Sequence, residues 1–241
     1  MKDIFKSAGR QVIATAIIMA IGFVGMNYGS FYKIIKYRID TWRGVENNTF
    51  EQIVELEGNV EQTLIESGDN LVSRVRKVPE INLEIMPPDI RLVVPKIDQN
   101  LPVMRVSSEN LITKDWGALE QDIQEKLKDG VIHYPGTSLP DKGGNTVITG
   151  HSSYFPWDPG RFKDVFALLS EVYEGDKVAM YYDQKKYIYQ VTERKIIYPG
   201  DLDILKQPKD PDANRLTLIT CWPVGTNTKR LVIIGDLVET E

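Results

Sequence analysis

The chain has 241 residues, of which 42% are hydrophobic and 26% are charged, and its formal net charge is −5. This length allows one substantial domain with an appendage. The acidic balance argues against a nucleic-acid binder, which usually carries a basic excess on one face. The single cysteine, Cys221, excludes an intramolecular disulfide. A lone cysteine is either a small buried apolar residue or a reactive thiol, and composition does not separate the two.

The N-terminal segment is predicted to cross a membrane. Residues 11–32 contain no charge, and residues 12–26 are apolar on every face. A helix of about 20 residues spans the hydrocarbon core of a bilayer. An uncleaved signal anchor is favoured over a cleaved signal peptide, because Asn27-Tyr28-Gly29-Ser30 lacks a small-residue cleavage site. A buried core helix is disfavoured because the segment has no polar face. Basic residues flank both ends, so charge leaves the orientation open.

An acidic stretch without Lys or Arg follows between Arg43 and Arg74. Its regularly spaced apolar residues are Ile53, Leu56, Val60 and Leu64. A spacing near 3.6 predicts an amphipathic helix, either a solvated spacer or a helix that docks on a partner. The Pro87-Pro88 pair then interrupts any helix. The sequence therefore divides into an N-terminal tail with an anchor (1–32), a helical or linker stalk (33–88) and a globular domain (89–241).

The globular domain has the pattern of a mainly β protein. The predicted strands are 90–94, 101–106, 145–150, 178–182, 187–197, 215–221 and 230–238. Residues 119–127 are predicted to form a short helix, residues 164–169 a helical turn, and Asp183-Gln184 the turn of a hairpin. Many short strands with few helices indicate a barrel or a sandwich. The sequence contains no Gly-rich phosphate loop and no zinc-type Cys and His pattern, so no cofactor and no metal are predicted.

Three residues at predicted strand edges can form a thiol-based acyl-transfer site. Cys221 ends one strand, His151 follows another, and Arg230 begins the strand nine residues after the cysteine, so an antiparallel return places it beside Cys221. An imidazole and a guanidinium both favour the nucleophilic thiolate. The guanidinium can also stabilise an oxyanion, and the imidazole can protonate a leaving amine. Taken singly, each residue is more often structural, and only their combination is specific.

The same residues carry a resemblance to the sortase family. Thr217-Leu218-Ile219-Thr220-Cys221 resembles the sortase signature Thr-Leu-x-Thr-Cys, Arg230-Leu231-Val232 its arginine strand, and Gly150-His151 its histidine. Further similar strings are Val94-Pro95-Lys96-Ile97, His133-Tyr134-Pro135-Gly136-Thr137, Gly143-Gly144-Asn145, Leu168-Leu169 and Glu174-Gly175-Asp176. The resemblance extends in collinear order over residues 90–239.

The resemblance implies the eight-stranded sortase β-barrel with short helices. It implies cleavage at a Leu-Pro-x-Thr-Gly-like sorting motif through a thioester, and transfer of the acyl half to an amine of the cell wall or a pilin lysine. It assigns catalysis to His151, Cys221 and Arg230, with lesser oxyanion roles for Thr220 and the backbone N–H of Trp222. It also implies surface-protein substrates with a C-terminal sorting signal, and a single-pass membrane protein whose catalytic domain lies outside the cell.

The resemblance leaves several roles and functions open. His133, the other imidazole, is expected to be structural. Residues 152–160 do not match familiar sortase subclasses, and their aromatic side chains either cover the groove, bind substrate or pack as an ordinary loop. The subclass is therefore undetermined, and no calcium site is predicted. Two further functions are a cysteine protease-like hydrolase of the same fold, which differs only in its acceptor, and a non-catalytic membrane-tethered binding or structural barrel.

Overall fold

Eight strands dominate the part of the chain that the structure, a computed structural model, describes: residues 2–45, 87–210 and 213–241. The strands are β1 (Arg91–Val94), β2 (Gln99–Arg105), β3 (Val131–His133), β4 (Gly144–Thr149), β5 (Lys177–Tyr182), β6 (Lys185–Ile197), β7 (Asn214–Trp222) and β8 (Lys229–Thr240). They close into a barrel in the order β1-β2-β3-β4-β7-β8-β6-β5. The mainly β prediction is confirmed, and the closed sheet decides between barrel and sandwich.

Four α-helices and three single-turn 3-10 helices accompany the strands in the described residues. The α-helices are α1 (Lys2–Met26), α2 (Tyr28–Trp42), α3 (Glu109–Ile112) and α4 (Trp116–Lys126). The 3-10 turns are Pro95–Ile97, Leu169–Glu171 and Leu202–Leu205. Helix α4 begins three residues before the predicted start, because the Asp115 carboxylate accepts a hydrogen bond from the Ala118 N–H at 3.0 Å and caps it.

Seven of the eight strands were predicted, and the missing one is β3. Its three residues are all buried, so it shows no alternation of apolar and polar side chains. The predicted hairpin is present between β5 and β6. Asp183 and Gln184 both have positive φ, 52° and 59°, which is the backbone of a type I′ turn and matches the twist of the two strands.

Both barrel faces of β7 are largely buried, which fixes its position in the wall. Leu216 and Leu218 point into the main apolar core, where they meet side chains from the other strands. Thr217, on the opposite face, is also buried, and its hydroxyl donates to the Asn145 side-chain oxygen at 2.7 Å. A buried polar group is costly unless it is hydrogen-bonded, so this pair fastens β7 to β4.

The two N-terminal helices have different surroundings. In α1, the window Gly9–Met26 has a mean hydropathy of 1.6 and none of it is buried within the protein. A buried core helix is therefore excluded for this segment, and its length and composition fit a membrane anchor. Helix α2 instead packs against the barrel through Ser30. The predicted spacer helix at residues 53–64 lies outside the described residues, and the three-part division of the chain stays a prediction.

Candidate active site

Cys221 and Arg230 are neighbours across two antiparallel strands. Cys221 is the penultimate residue of β7, Arg230 is the second residue of β8, and the two are direct partners in the register. The return loop between the strands therefore brings the guanidinium beside the thiol, as the sequence spacing predicted. Cys221 is half-buried, so the thiol lies at the wall of the barrel and not in its sealed interior.

The Arg230 guanidinium is oriented by its own loop. Its Nη1 donates to the backbone carbonyl oxygen of Asn227 at 2.9 Å and to that of Lys229 at 3.0 Å. Among the described residues, these hydrogen-bond partners are backbone carbonyls and not carboxylates. The guanidinium is only partly buried.

His151 reaches the same edge of the barrel because β4 and β7 are parallel. Thr149 is in register with Ile219, so the chain leaves both strands at the same edge, with His151 two residues beyond one partner and Cys221 two residues beyond the other. Two hydrogen bonds continue the pairing past the strand end. The Gly150 N–H donates to the Ile219 carbonyl at 3.2 Å, and the Thr220 hydroxyl donates to the Gly150 carbonyl at 2.8 Å.

A tight contact beneath Gly150 determines how the chain turns toward His151. A Cβ atom on Gly150 would lie 2.8 Å from two ring carbons of Phe166 and 3.0 Å from Val131. The Phe166 N–H also donates to the His151 carbonyl at 2.9 Å. The φ of Gly150 is not positive, so its backbone conformation does not itself require glycine. The structure shows that close packing against the core is the constraint.

The three predicted catalytic residues line one open cleft of about 640 Å³. Thr220 lines the cleft as well, and its hydroxyl donates a hydrogen bond to the Gly150 carbonyl oxygen. The described residues that line the cleft do not include Trp222, which packs at the edge of the main core. The structure thus brings together His151, Cys221, Arg230 and Thr220, while the oxyanion roles of Thr220 and Trp222 stay predictions.

His133 is separate from this cleft. Its side chain is buried, its Nε2 lies 2.9 Å from the Ser138 carbonyl oxygen and 3.2 Å from the Thr137 hydroxyl, and it is not among the described residues that line the cleft. Burial lowers the pKa of His133. These contacts fasten the turn after β3, in agreement with the expected structural role.

Burial controls the protonation of His151. Desolvation lowers the pKa of His151 to about 4, and the charges of Asp158 and Glu120 only partly oppose this lowering. One source of that burial is Tyr154, whose ring stacks on the imidazole with centroids 4.4 Å apart. Phe155 continues the aromatic contacts toward an exposed Trp157. Part of the aromatic loop at residues 152–160 therefore covers the histidine.

The Cys221 thiol has two opposing electrostatic influences. Burial raises the pKa of Cys221, the charge of Arg230 lowers it, and Glu120 raises it further. Because the imidazole titrates below the thiol, the pair is mostly neutral near pH 7. The thiolate–imidazolium form is then a minor tautomer, and it has the same number of protons as the neutral pair.

Several cleft residues were not singled out from the sequence. Glu120 and Gln124 face the cleft from α4, one helical turn apart, and the Gln124 amide donates to the Glu120 carboxylate at 2.8 Å. Phe23, Met26 and Asn27 reach the cleft from the junction of α1 and α2. Amphipathic spacing in α4 offered a weak signal for the first pair, whereas nothing local in the sequence indicated the second group.

The barrel and its cleft define a β-barrel protein with a thiol, an imidazole and a guanidinium at one edge of the sheet. The Sortase domain family model matches residues 92–238, more than half of the chain. The chain therefore belongs to the sortase family, as the sequence resemblance predicted.

Individual relatives agree with this membership. The chain is 27% identical to Sortase A of Bacillus anthracis over 152 residues, which cover 63% of this chain and 60% of that protein. It is 27% identical to Sortase D of Bacillus subtilis (strain 168) over 150 residues, which cover 61% and 62% of the respective chains. Sortase C1 of GBS Pilus Island 1 is a structural neighbour with a TM-score of 0.50 and 28% identity, covering 62% of this chain and 64% of that one. The matches thus span less than two thirds of each of these relatives.

Proposed function

We propose that this protein is a membrane-anchored sortase: a cysteine transpeptidase that cleaves a Leu-Pro-x-Thr-Gly-like sorting motif and transfers the acyl half to an amine. The observation that carries the proposal is the cross-strand pairing of Cys221 with Arg230, with His151 at the adjoining strand edge. Family membership supports the reaction class. The apolar, unburied α1 supports anchoring of the protein in the cell membrane, with the catalytic domain outside.

The first half-reaction forms a thioester on Cys221. The thiolate sulfur attacks the carbonyl carbon of the scissile peptide bond, and the carbonyl oxygen gains negative charge, which Arg230 stabilises. The C–N bond then breaks as the His151 imidazolium gives its proton to the leaving amine. The acyl half stays bound to the sulfur, and the imidazole is left neutral.

The second half-reaction regenerates the thiol pair. A primary amine of the cell envelope attacks the thioester carbonyl, His151 accepts a proton from the attacking nitrogen, and the C–S bond breaks to release the thiolate. The substrates are surface proteins with a C-terminal sorting signal. Water in place of the amine gives hydrolysis, which is the alternative function.

Product analysis tests this proposal and separates it from the hydrolase. The full chain in detergent micelles is incubated with a Leu-Pro-x-Thr-Gly-like peptide library, with and without a diamine, and products are identified by mass spectrometry. We expect acyl–diamine conjugates that replace hydrolysis products as the diamine concentration rises. Only hydrolysis at every diamine concentration supports the hydrolase, and no turnover of any peptide supports the non-catalytic barrel. Cys221→Ala is the matched control.

A further inference from the structure

We propose that Ser30 and Lys33 of α2 are positioning residues for His151, so that the juxtamembrane helix forms a working part of the active site. The inference rests on the proposed function, because it assigns these residues to the same reaction. Both residues lie in α2, which covers the predicted end of the anchor (1–32) and the predicted start of the stalk (33–88).

Ser30 makes a buried contact with the residue that follows the histidine. The Ser30 side chain donates to the Ser152 carbonyl at 3.0 Å, and Ser30 is only 3% exposed. The Ser152 hydroxyl is itself buried and has no hydrogen-bond partner among the described residues. The Ser30 contact therefore fixes the backbone one residue beyond His151, where a displacement would rotate the imidazole.

Lys33 holds the other end of the same loop. Its Nζ lies 2.8 Å from the Asp164 carboxylate, with the two side chains 39% and 19% exposed. Asp164 is two residues before Phe166, whose N–H donates to the His151 carbonyl. Gly29, on the adjoining turn of α2, leaves room for this carboxylate, since a Cβ there would lie 3.1 Å from its oxygen. Helix α2 thus contacts both ends of the segment 152–164, through Ser30 at one end and Lys33 at the other.

The junction of α1 and α2 also contacts the loop between Cys221 and Arg230. Gly225 in that loop has φ of +86°, and a Cβ on it would lie 2.8 Å from the Phe23 ring and 3.1 Å from Asn27. The Gly225 N–H donates to the Ser153 hydroxyl at 2.9 Å, which links this loop to the histidine loop. Helices α1 and α2 therefore contact the loop that contains His151 and the loop that joins the strands of Cys221 and Arg230.

Charge reversal and charge exchange test the proposal on the full chain in detergent micelles. The variants are Lys33→Asp, Asp164→Lys and the exchanged pair Lys33→Asp/Asp164→Lys. Lys36→Asp makes the same charge change on an exposed face of α2 and is the matched control. Ser30→Ala removes the second contact. Thr41→Val is its control, because the Thr41 hydroxyl donates within its own helix, to the Tyr37 carbonyl oxygen.

The readouts separate positioning from general stability. We expect Lys33→Asp and Ser30→Ala to lower kcat by about tenfold or more, since small displacements of catalytic groups are costly, with little change in KM. The acid limb of the pH profile should move toward higher pH as the loop opens and water reaches His151. The exchanged pair should recover most of the lost kcat, and both controls should match wild type.

The outcomes are distinguishable from failure of the proposed function. If the wild-type chain transfers no peptide, the proposed function fails first. If wild type is active and Lys33→Asp keeps kcat within about twofold of Lys36→Asp, the positioning role is overturned. Should Lys33→Asp fail to fold, the exchanged pair decides: recovery of kcat supports the contact, and a folded but unrecovered pair overturns it.

Discussion

At the scale of single residues, the register of β7 and β8 places Arg230 directly beside Cys221. Their spacing along the chain predicted adjacency, and the register confirms it. The protonation of the thiol was not predictable from the sequence, because it depends on burial by side chains from distant segments. The sequence pattern thus predicted which residue types meet in the cleft, whereas their pKa values depend on burial in the folded protein.

Replacing Arg230 should reduce the reactivity of Cys221. Arg230→Ala removes the charge that lowers the pKa of the thiol, so the thiolate fraction at pH 8 falls, by about tenfold for each unit of further pKa rise. Arg230→Lys keeps the charge and should retain more thiolate. Because Cys221 is the single cysteine, alkylation by iodoacetamide measures this thiol alone.

The control for this prediction is Arg215→Ala, an arginine of β7 that pairs with Asp236 at the other end of the same two strands. We expect its alkylation rate to equal that of wild type. Equal rates for Arg230→Ala and wild type would show that the guanidinium does not act on the sulfur.

Replacing Tyr154 should shift the pH dependence of the reaction. Tyr154→Ala uncovers the imidazole, and since burial is the main cause that lowers the pKa of His151 to about 4, the pKa should rise toward its ordinary value near 6.5. The active tautomer is lost when a proton is added to the neutral pair. The acid limb of kcat/KM should therefore move from about pH 4 in wild type to higher pH in the variant.

A pH–rate profile of both proteins checks this shift. Tyr173→Ala removes an exposed tyrosine that contacts Arg194 instead, and it should leave the acid limb in place. An unshifted limb in Tyr154→Ala would mean that the stacked ring does not set the protonation of His151.

At the scale of elements, the strands were predictable where the apolar or alternating run is long enough to be recognised, and this includes β4 and β7, which are largely buried on both faces. Strand β3 was not predicted because it has three residues, all buried, and α3 was not predicted because a helix of four residues has too few turns to show a period. The parallel pairing of β4 with β7, which brings His151 to the cysteine edge, joins segments far apart in sequence. The local sequence pattern predicts single helices and strands. It does not predict which distant strands pair, because that pairing is set by closure of the barrel.

The contact between β4 and the loop that follows it offers a prediction at this scale. Gly150→Ala places a methyl group against Phe166, and overpacking of this kind costs about 1–3 kcal/mol. We expect a lower Tm and a loss of kcat, because the chain must move where it enters His151. Phe166→Leu in the same chain should restore part of both by making room.

Thermal melting and single-turnover rates measure the two effects. Gly200→Ala is the matched control, since a Cβ on Gly200 meets no atom within 4 Å. If Gly150→Ala has the same Tm and kcat as the wild-type protein, the close packing against Phe166 does not constrain this position.

At the scale of the whole molecule, the apolar N-terminal helix and the barrel meet at the cleft. The sequence marked residues 11–32 as one uncharged stretch, but the helix breaks at Asn27, and α2 then turns its buried Ser30 to the barrel. The partners of Ser30 and Lys33 lie 122 and 131 residues further along the chain, so no local pattern could reveal them. With α1 in a bilayer, the cleft opens close to the membrane surface.

The apolar N-terminal window and the cleft share residues. Phe23 and Met26 belong to the last turn of that window, and they line the same cleft as Cys221. If α1 lies in a bilayer as proposed, a sorting signal presented at the membrane surface would meet the thiol in this cleft.

Covalent trapping of the acyl-enzyme tests whether Cys221 is the nucleophile. The full chain is mixed with a Leu-Pro-x-Thr-Gly-like peptide without an amine acceptor, quenched in acid and analysed by intact and peptide-level mass spectrometry. We expect a hydroxylamine-sensitive adduct with the mass of the acyl half on the peptide containing Cys221, and we expect its loss in Cys221→Ala. Acyl transfer that persists in Cys221→Ala, or an adduct on any other residue, would contradict this role of Cys221.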